Sequence, residues 1–105
     1  MKPERILRLD PLVHAPVRLA VLTLLAGLED ADFVFVRDST GATDGNLSSH
    51  LSKLEEAGYV RISKGFAGKK PRTTCAITNE GRTALIRYLE DLQAIVETQK
   101  PREET

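Results

Sequence analysis

The run "TDGNLSSHLSKLEEAGYV", Thr43 to Val60, limits the possible folds more than any other segment. Leucines recur at 47, 51 and 54, at the spacing of one helical face. Thr43 offers a side-chain oxygen to cap the helix, and Asp44 sits where the positive end of the helix dipole favours a carboxylate. Gly58 closes it as a left-handed C′ residue, so a helix is expected from Thr43 to about Ala57. At about 100° per residue, the face opposite the leucines carries Gly45, Ser49 and Ser52, flanked by Asn46 and Lys53, with Glu56 near the C-terminal end. Solvated helices usually carry long charged side chains there. Small hydrogen-bonding side chains would let this helix approach another surface closely; the plainer alternative is a solvated helix with ordinary polar residues.

Upstream, Pro16 suits the first turn of a helix, and Val17, Ala20, Val21, Leu24, Leu25 and Leu28 follow at helical spacing, with Gly27 near the end. Between Ala31 and Thr40 the pattern is mixed: "FVFV" alone would suit a strand, whereas "VRDSTG" suits a short helix closed by Gly41. A brief extended entry followed by a short second helix is the expectation. Downstream, "YVRISKG" and "RTTCAIT" read as two strands of a β-hairpin joined by a turn or loop, "FAGKKP", with a basic tip. In the first, Val60 and Ile62 share one side, with Arg61 and Ser63 on the other. Thr78 can cap a final helix, about 79–98, and the tail "KPREET" is expected to fray. The order helix, short helix, tight turn, helix, hairpin, long helix is that of a winged helix-turn-helix: mainly α, with a small β-hairpin wing at about 59–77.

The 105 residues are expected to form a single domain over 1–105. No apolar run approaches the ~18 residues of a membrane span, and "MKPERILRLD" lacks the apolar core of a secretory signal, so the expected location is the cytoplasm. Cys75 is the only cysteine, which excludes an internal disulfide and favours a small buried strand residue. Net charge is zero, but its distribution is polarised. Arg61, Lys64, Lys69, Lys70 and Arg72 lie between Tyr59 and Ile77 with no acidic residue among them; balancing carboxylates include Glu55, Glu56, Glu90, Asp91, Glu103 and Glu104. Clustered cations of this kind suit a polyanionic partner, although a lysine-rich turn can also simply keep a strand edge soluble.

"GNLSSHLSKLEEAGYV", the basic hairpin, "ITNEGR" and the opening "LDPLVHAPVRLAVLTLL" together resemble the winged helix-turn-helix transcriptional regulators of the MarR-like and ArsR-like superfamily, in a compact single-domain subgroup. The resemblance covers about Leu9 to about Val96. It implies a homodimer on a roughly palindromic double-stranded DNA operator, often acting as a repressor, with the third helix in the major groove. It further implies contacts from Asn46, Ser48, Ser49 and Lys53 on that helix and from Lys64, Lys69, Lys70 and Arg72 on the wing. ArsR-like metal sensors carry cysteine or histidine clusters, whereas this chain has one cysteine and two separated histidines, His14 and His50; no metal and no cofactor are expected.

In chemical terms, Asn pairs with adenine, Ser reaches bases or phosphate, and Lys reaches phosphate or guanine. Each wing cation that neutralises a phosphate adds about 0.9 to the magnitude of the salt slope, with little sequence choice. His50, near the edge of the apolar stripe, is either a phosphate contact or a boundary residue bonded within the fold; His14 reads as structural. The final helix carries Leu85, Tyr88, Leu89, Leu92, Ile95 and Val96 on one stripe. That stripe can pack on the first helix, pair with a second subunit, or do both, with Ile6, Leu7 and Leu9 as candidate interface partners. No nucleophile–base motif, phosphate loop or metal spacing is present, so an enzyme is not expected. Two rival readings remain open: a winged-helix protein-interaction module without DNA binding, and a regulator with a small-molecule effector at the dimer interface.

Overall fold

The computed structural model describes residues 3–101. Glu103, Glu104 and the rest of the tail after Pro101 lie outside the described residues. A one-turn helix, α1 (Glu4–Leu7), precedes a loop to α2 (Pro16–Ala26). Then come β1 (Ala31–Asp32), α3 (Phe33–Thr40), α4 (Asp44–Glu56), β2 (Val60–Ala67), β3 (Lys70–Ile77) and α5 (Asn79–Gln99). The three strands form an antiparallel sheet in the order β1-β3-β2.

Local chemistry accounts for most boundaries. Pro16 occupies the first turn of α2, whose C-terminal carbonyl at Ala26 accepts a 2.7 Å bond from the Arg82 guanidinium of α5. A cation at that point also meets the negative end of the α2 dipole. Thr43 and Thr78 cap α4 and α5, accepting from the Asn46 and Gly81 amides at 3.1 and 3.0 Å. The Thr78 hydroxyl also donates to the Gly58 carbonyl, so one side chain ties the end of α4 to the start of α5. Gly81 makes that join possible: a Cβ there would collide with the Tyr59 carbonyl and press on Ile77.

The core is built where α2, α4 and α5 meet the sheet. Leu22, Leu25, Leu47, Leu51 and Leu54 are fully buried, with Val13, Val21, Val36 and Cys75 beside them. Each such leucine contributes about 1.5–3 kcal/mol of apolar burial. The leucine spacing of α4 therefore serves the core, and the opposite face of that helix is left to solvent.

The expected brief extended entry is Ala31 and Asp32, which pair with Cys75 and Thr74 of β3, and the expected short helix follows, with "FVFV" helical from its first residue. The structure corrects the sequence reading in three places. Within "FAGKKP" the turn is shorter than expected: pairing continues through Phe66 with Pro71 and Ala67 with Lys70, leaving two turn residues, Gly68 and Lys69. Gly68 has φ +64°, the positive value a primed hairpin turn needs at its first central position. The polar lead contains α1, and Leu9, expected at a subunit interface, is 4% exposed and belongs to the chain's own core. On α5, Leu85, Tyr88 and Ile95 are buried within the chain, so the expected interface stripe narrows to its flank.

Candidate nucleic-acid interface

The small-residue face of α4 is open. Gly45, Asn46, Ser48, Ser49, Ser52 and Lys53 are all exposed, and nothing lies within 4 Å of a Cβ built on Gly45. Beside this ridge runs a groove of about 640 Å³, lined by Ser48, Leu51, Ser52 and Glu55 of α4, Phe33 of α3, and Ile62, Lys64 and Thr73 of the wing. Helix ridge and hairpin thus share one side of the molecule. Glu55 places a carboxylate at the C-terminal end of that groove, which leaves the N-terminal half, with Asn46 and Ser49, as the part of α4 suited to an anionic surface.

Strand alternation sorts the wing. Ile62, Lys64 and Phe66 point to the α4 side together with their partners Cys75, Thr73 and Pro71; Arg61, Ser63 and Ala67 occupy the other face with Ala76, Thr74 and Lys70. Lys64, Lys69 and Lys70 are exposed and enter no ion pair among the described residues. Arg72, grouped with them by sequence, bonds the Asp32 carboxylate, linking the wing to β1. The Arg72 side chain is still about half exposed, so the pair ties the wing to β1 without enclosing the guanidinium. The pairing spans 40 residues and has no local signal.

His50 is half-buried, and its Nδ1 lies 2.9 Å from Nη1 of Arg18 on α2. Arginine only donates, so Nδ1 accepts and the ring proton sits on Nε2. Arg18 Nε donates to the Leu12 carbonyl at 2.6 Å, so this guanidinium braces α4 against the loop before α2. Burial first, then the nearby charges of Arg18 and Lys53, hold the His50 imidazole below its ordinary range. At the other end of α4, Asp44 accepts from Arg37 of α3 at 2.9 Å, and Arg37 also bonds Asp38. These bonds raise the Arg37 pKa and fix the helix-to-helix turn.

Away from this face, a second cavity of about 540 Å³ is lined by residues that include Arg8, Asp10, Tyr59, Arg87, Tyr88 and Asp91. The Tyr59 hydroxyl donates to Asp10 at 2.8 Å, and Tyr88 bonds Nδ1 of His14 at 2.8 Å. Hydrogen bonding to Asp10, then burial, pushes the Tyr59 phenol up. Along the outer flank of α5, Ile86, Leu89 and Val96 are 55, 45 and 41% exposed. Ile86 was missed by the sequence reading, since at about 100° per residue it lies just outside the assigned stripe. On α1, Ile6 and Leu7 are exposed as well.

A family model described as a winged helix DNA-binding domain matches residues 17–96, a span that holds both the exposed face of α4 and the hairpin. This chain belongs to that family. It is similar to an uncharacterised protein of Methanocaldococcus jannaschii, 39% identical over 79 residues, which are 75% of this chain and 86% of that one. It also resembles a solved transcriptional regulator homologue from Pyrococcus horikoshii OT3, at 30% identity and a TM-score of 0.86, over 93% of this chain and 99% of the other. A MarR family transcriptional regulator from Silicibacter pomeroyi shares the fold at 17% identity, with a TM-score of 0.66 over 90% of this chain and 63% of that one. Among the described residues, no helix is long and apolar enough to cross a membrane.

Proposed function

We propose that this winged helix protein binds double-stranded DNA sequence-specifically as a homodimer and regulates transcription, as a repressor. The observation that carries this reading is the shared side of the exposed α4 ridge and the wing lysines, which enter no ion pair among the described residues. A helix whose outer face carries Gly45, Asn46, Ser49, Ser52 and Lys53, with Glu55 and Glu56 confined to its C-terminal end, fits the major groove with its N-terminal half on the base edges. Asn46 and Ser49 then read bases, Ser48 and Lys53 follow at the groove edge, and His50 offers Nε2–H to a phosphate. Lys64, Lys69 and Lys70 supply sequence-independent attraction to phosphates, and Arg72 acts through Asp32 instead. The solved transcriptional regulator homologue from P. horikoshii supports a regulatory role.

Dimer formation is supported by α5, whose apolar stripe is wider than the chain's own core covers: Leu85, Tyr88 and Ile95 are buried while Leu89, Val96 and Ile86 remain outside. A second copy packed there would present two α4 helices to successive half-sites. Repression follows if the occupied operator overlaps a promoter.

Selection of bound duplexes from a random pool tests the reading directly. The expected result is an enriched, roughly two-fold symmetric motif. Failure to retain any duplex at moderate salt would leave the protein-interaction alternative in its place. One observation favours a second reading, an effector-responsive regulator: the cavity between the N-terminal loop and α5, where two arginines and two tyrosines line a space of small-molecule size. Shifts in melting temperature across a panel of metabolites would separate the two.

A further inference from the structure

Phe66 is 74% exposed, the most exposed large apolar side chain after Leu7 among the described residues. It stands on β2, one residue before the strand end, opposite Pro71. By alternation it continues the line of Ile62 and Lys64 that faces the α4 groove, two residues beyond Lys64, about 7 Å at the rise of a strand. There it has left the core entirely. Because β2 and β3 pair up to Ala67 and Lys70 and turn in two residues, the ring is held on a stiff ribbon rather than a loose loop.

The surroundings select the kind of partner. Lys64, Lys69 and Lys70 surround the tip without ion-pair partners among the described residues, and no carboxylate occurs between Tyr59 and Ile77. An apolar ring within a cationic collar suits a polyanion that also offers apolar surface. A duplex with α4 in its major groove meets both requirements: next along that side come a phosphate backbone and then the minor groove, whose floor is the edge of stacked bases.

We propose that Phe66, backed by Pro71, is an apolar wedge that enters the minor groove beside the α4 site and kinks the duplex at a flexible base step. This rests on the reading of the protein as a duplex binder. Pyrimidine–purine steps such as TA and CA/TG unstack most easily, so the wing contributes sequence preference through deformability while its lysines anchor the flanking phosphates.

The test uses the full chain and duplexes selected by the wild-type protein, dye-labelled at both ends to report bending by energy transfer. The proposal expects a TA or CA/TG step beside the bases read by α4. It expects Phe66→Ala to lower affinity for that duplex about tenfold and abolish the bend, with the salt slope unchanged. Phe66→Leu keeps an apolar wedge and retains most of the bend. A Phe66→Ala protein that binds and bends like wild type overturns the wedge while leaving the regulator reading intact. So does a Phe66→Ala effect confined to self-association or to binding of anionic phosphatidylserine vesicles. Absence of duplex binding by the wild-type protein overturns both.

Discussion

Nη1 of Arg18 lies 2.9 Å from Nδ1 of His50, and this bond braces the middle of α4 against the loop that precedes α2. It requires a neutral imidazole, and burial with the charges of Arg18 and Lys53 depresses the pKa from its ordinary 6.5. A depressed histidine pKa means that the unfolded chain takes up its proton first as the pH falls. The contribution of His50 to stability is therefore whole above about pH 6.5 and is lost as the pH falls from there through the folded value. Melting curves of wild type and His50→Gln should show the wild type losing more stability between about pH 7.5 and 5.5. Parallel losses in the two proteins would dissociate the bond from pH sensitivity.

The two halves of the interface should respond differently to substitution. Asn46→Ala is expected to change the preferred sequence, costing about 1–3 kcal/mol at one base pair and little elsewhere. Lys69→Ala with Lys70→Ala should weaken every duplex alike and reduce the magnitude of the salt slope by about 1.8, from two phosphates. Titrations on selected and random duplexes at several salt concentrations read both effects. Indistinguishable behaviour of the two variants would refute this division.

Gly81→Ala should be among the most damaging substitutions for its size. The added methyl meets the Tyr59 carbonyl and Ile77, both held by backbone pairing around the Thr78 cap. Overpacking of this kind costs about 1–3 kcal/mol, and in a chain of this length each kcal/mol lowers the melting temperature by about 4–8 °C. A thermal melt within a degree or so of wild type would show that the α4–α5 join yields more than its geometry implies.

How much of this could be read from the residues follows the range of the interactions. The caps at Thr43 and Thr78, the end of α4 at Gly58, and the outward face of Gly45, Ser49 and Ser52 depend on neighbours within a turn of helix, and these features were readable. Leu9 was not, because its burial depends on the packing of distant elements, and one turn of α1 has no periodicity to detect. Arg72 looked like its wing neighbours because its partner Asp32 is remote in sequence. Glycine, lysine and proline around residue 68 signalled a turn correctly but exaggerated its length, since proline at 71 can sit on a ladder whose other strand supplies the remaining bonds.

Cys75 should be chemically silent in the folded protein. It is 1% exposed, and burial, with a smaller effect from Glu55, pushes its thiol up to about 11. Thiolate is the reactive form, so maleimide or disulfide reagents should label it only on unfolding. Rapid labelling under native conditions would indicate that the sheet opens far more often than its packing suggests.

Self-association should depend on the flank of α5. Leu89→Glu with Val96→Glu places two charges on side chains already more than two-fifths exposed, so folding should be retained while the dimer weakens. Sedimentation at micromolar concentration, with and without duplex, provides the measurement. A wild-type chain that remains a monomer in both conditions rules out a homodimer.

Two residues of β1 run directly into α3 while pairing with the middle of β3, so no slack chain separates the hairpin from the helix-turn-helix unit. Their relative tilt is consequently set during folding, before any partner arrives. In the duplex-binding reading proposed above, such a jaw with a fixed gape loses little freedom on docking and discriminates by refusing surfaces whose spacing does not match its own.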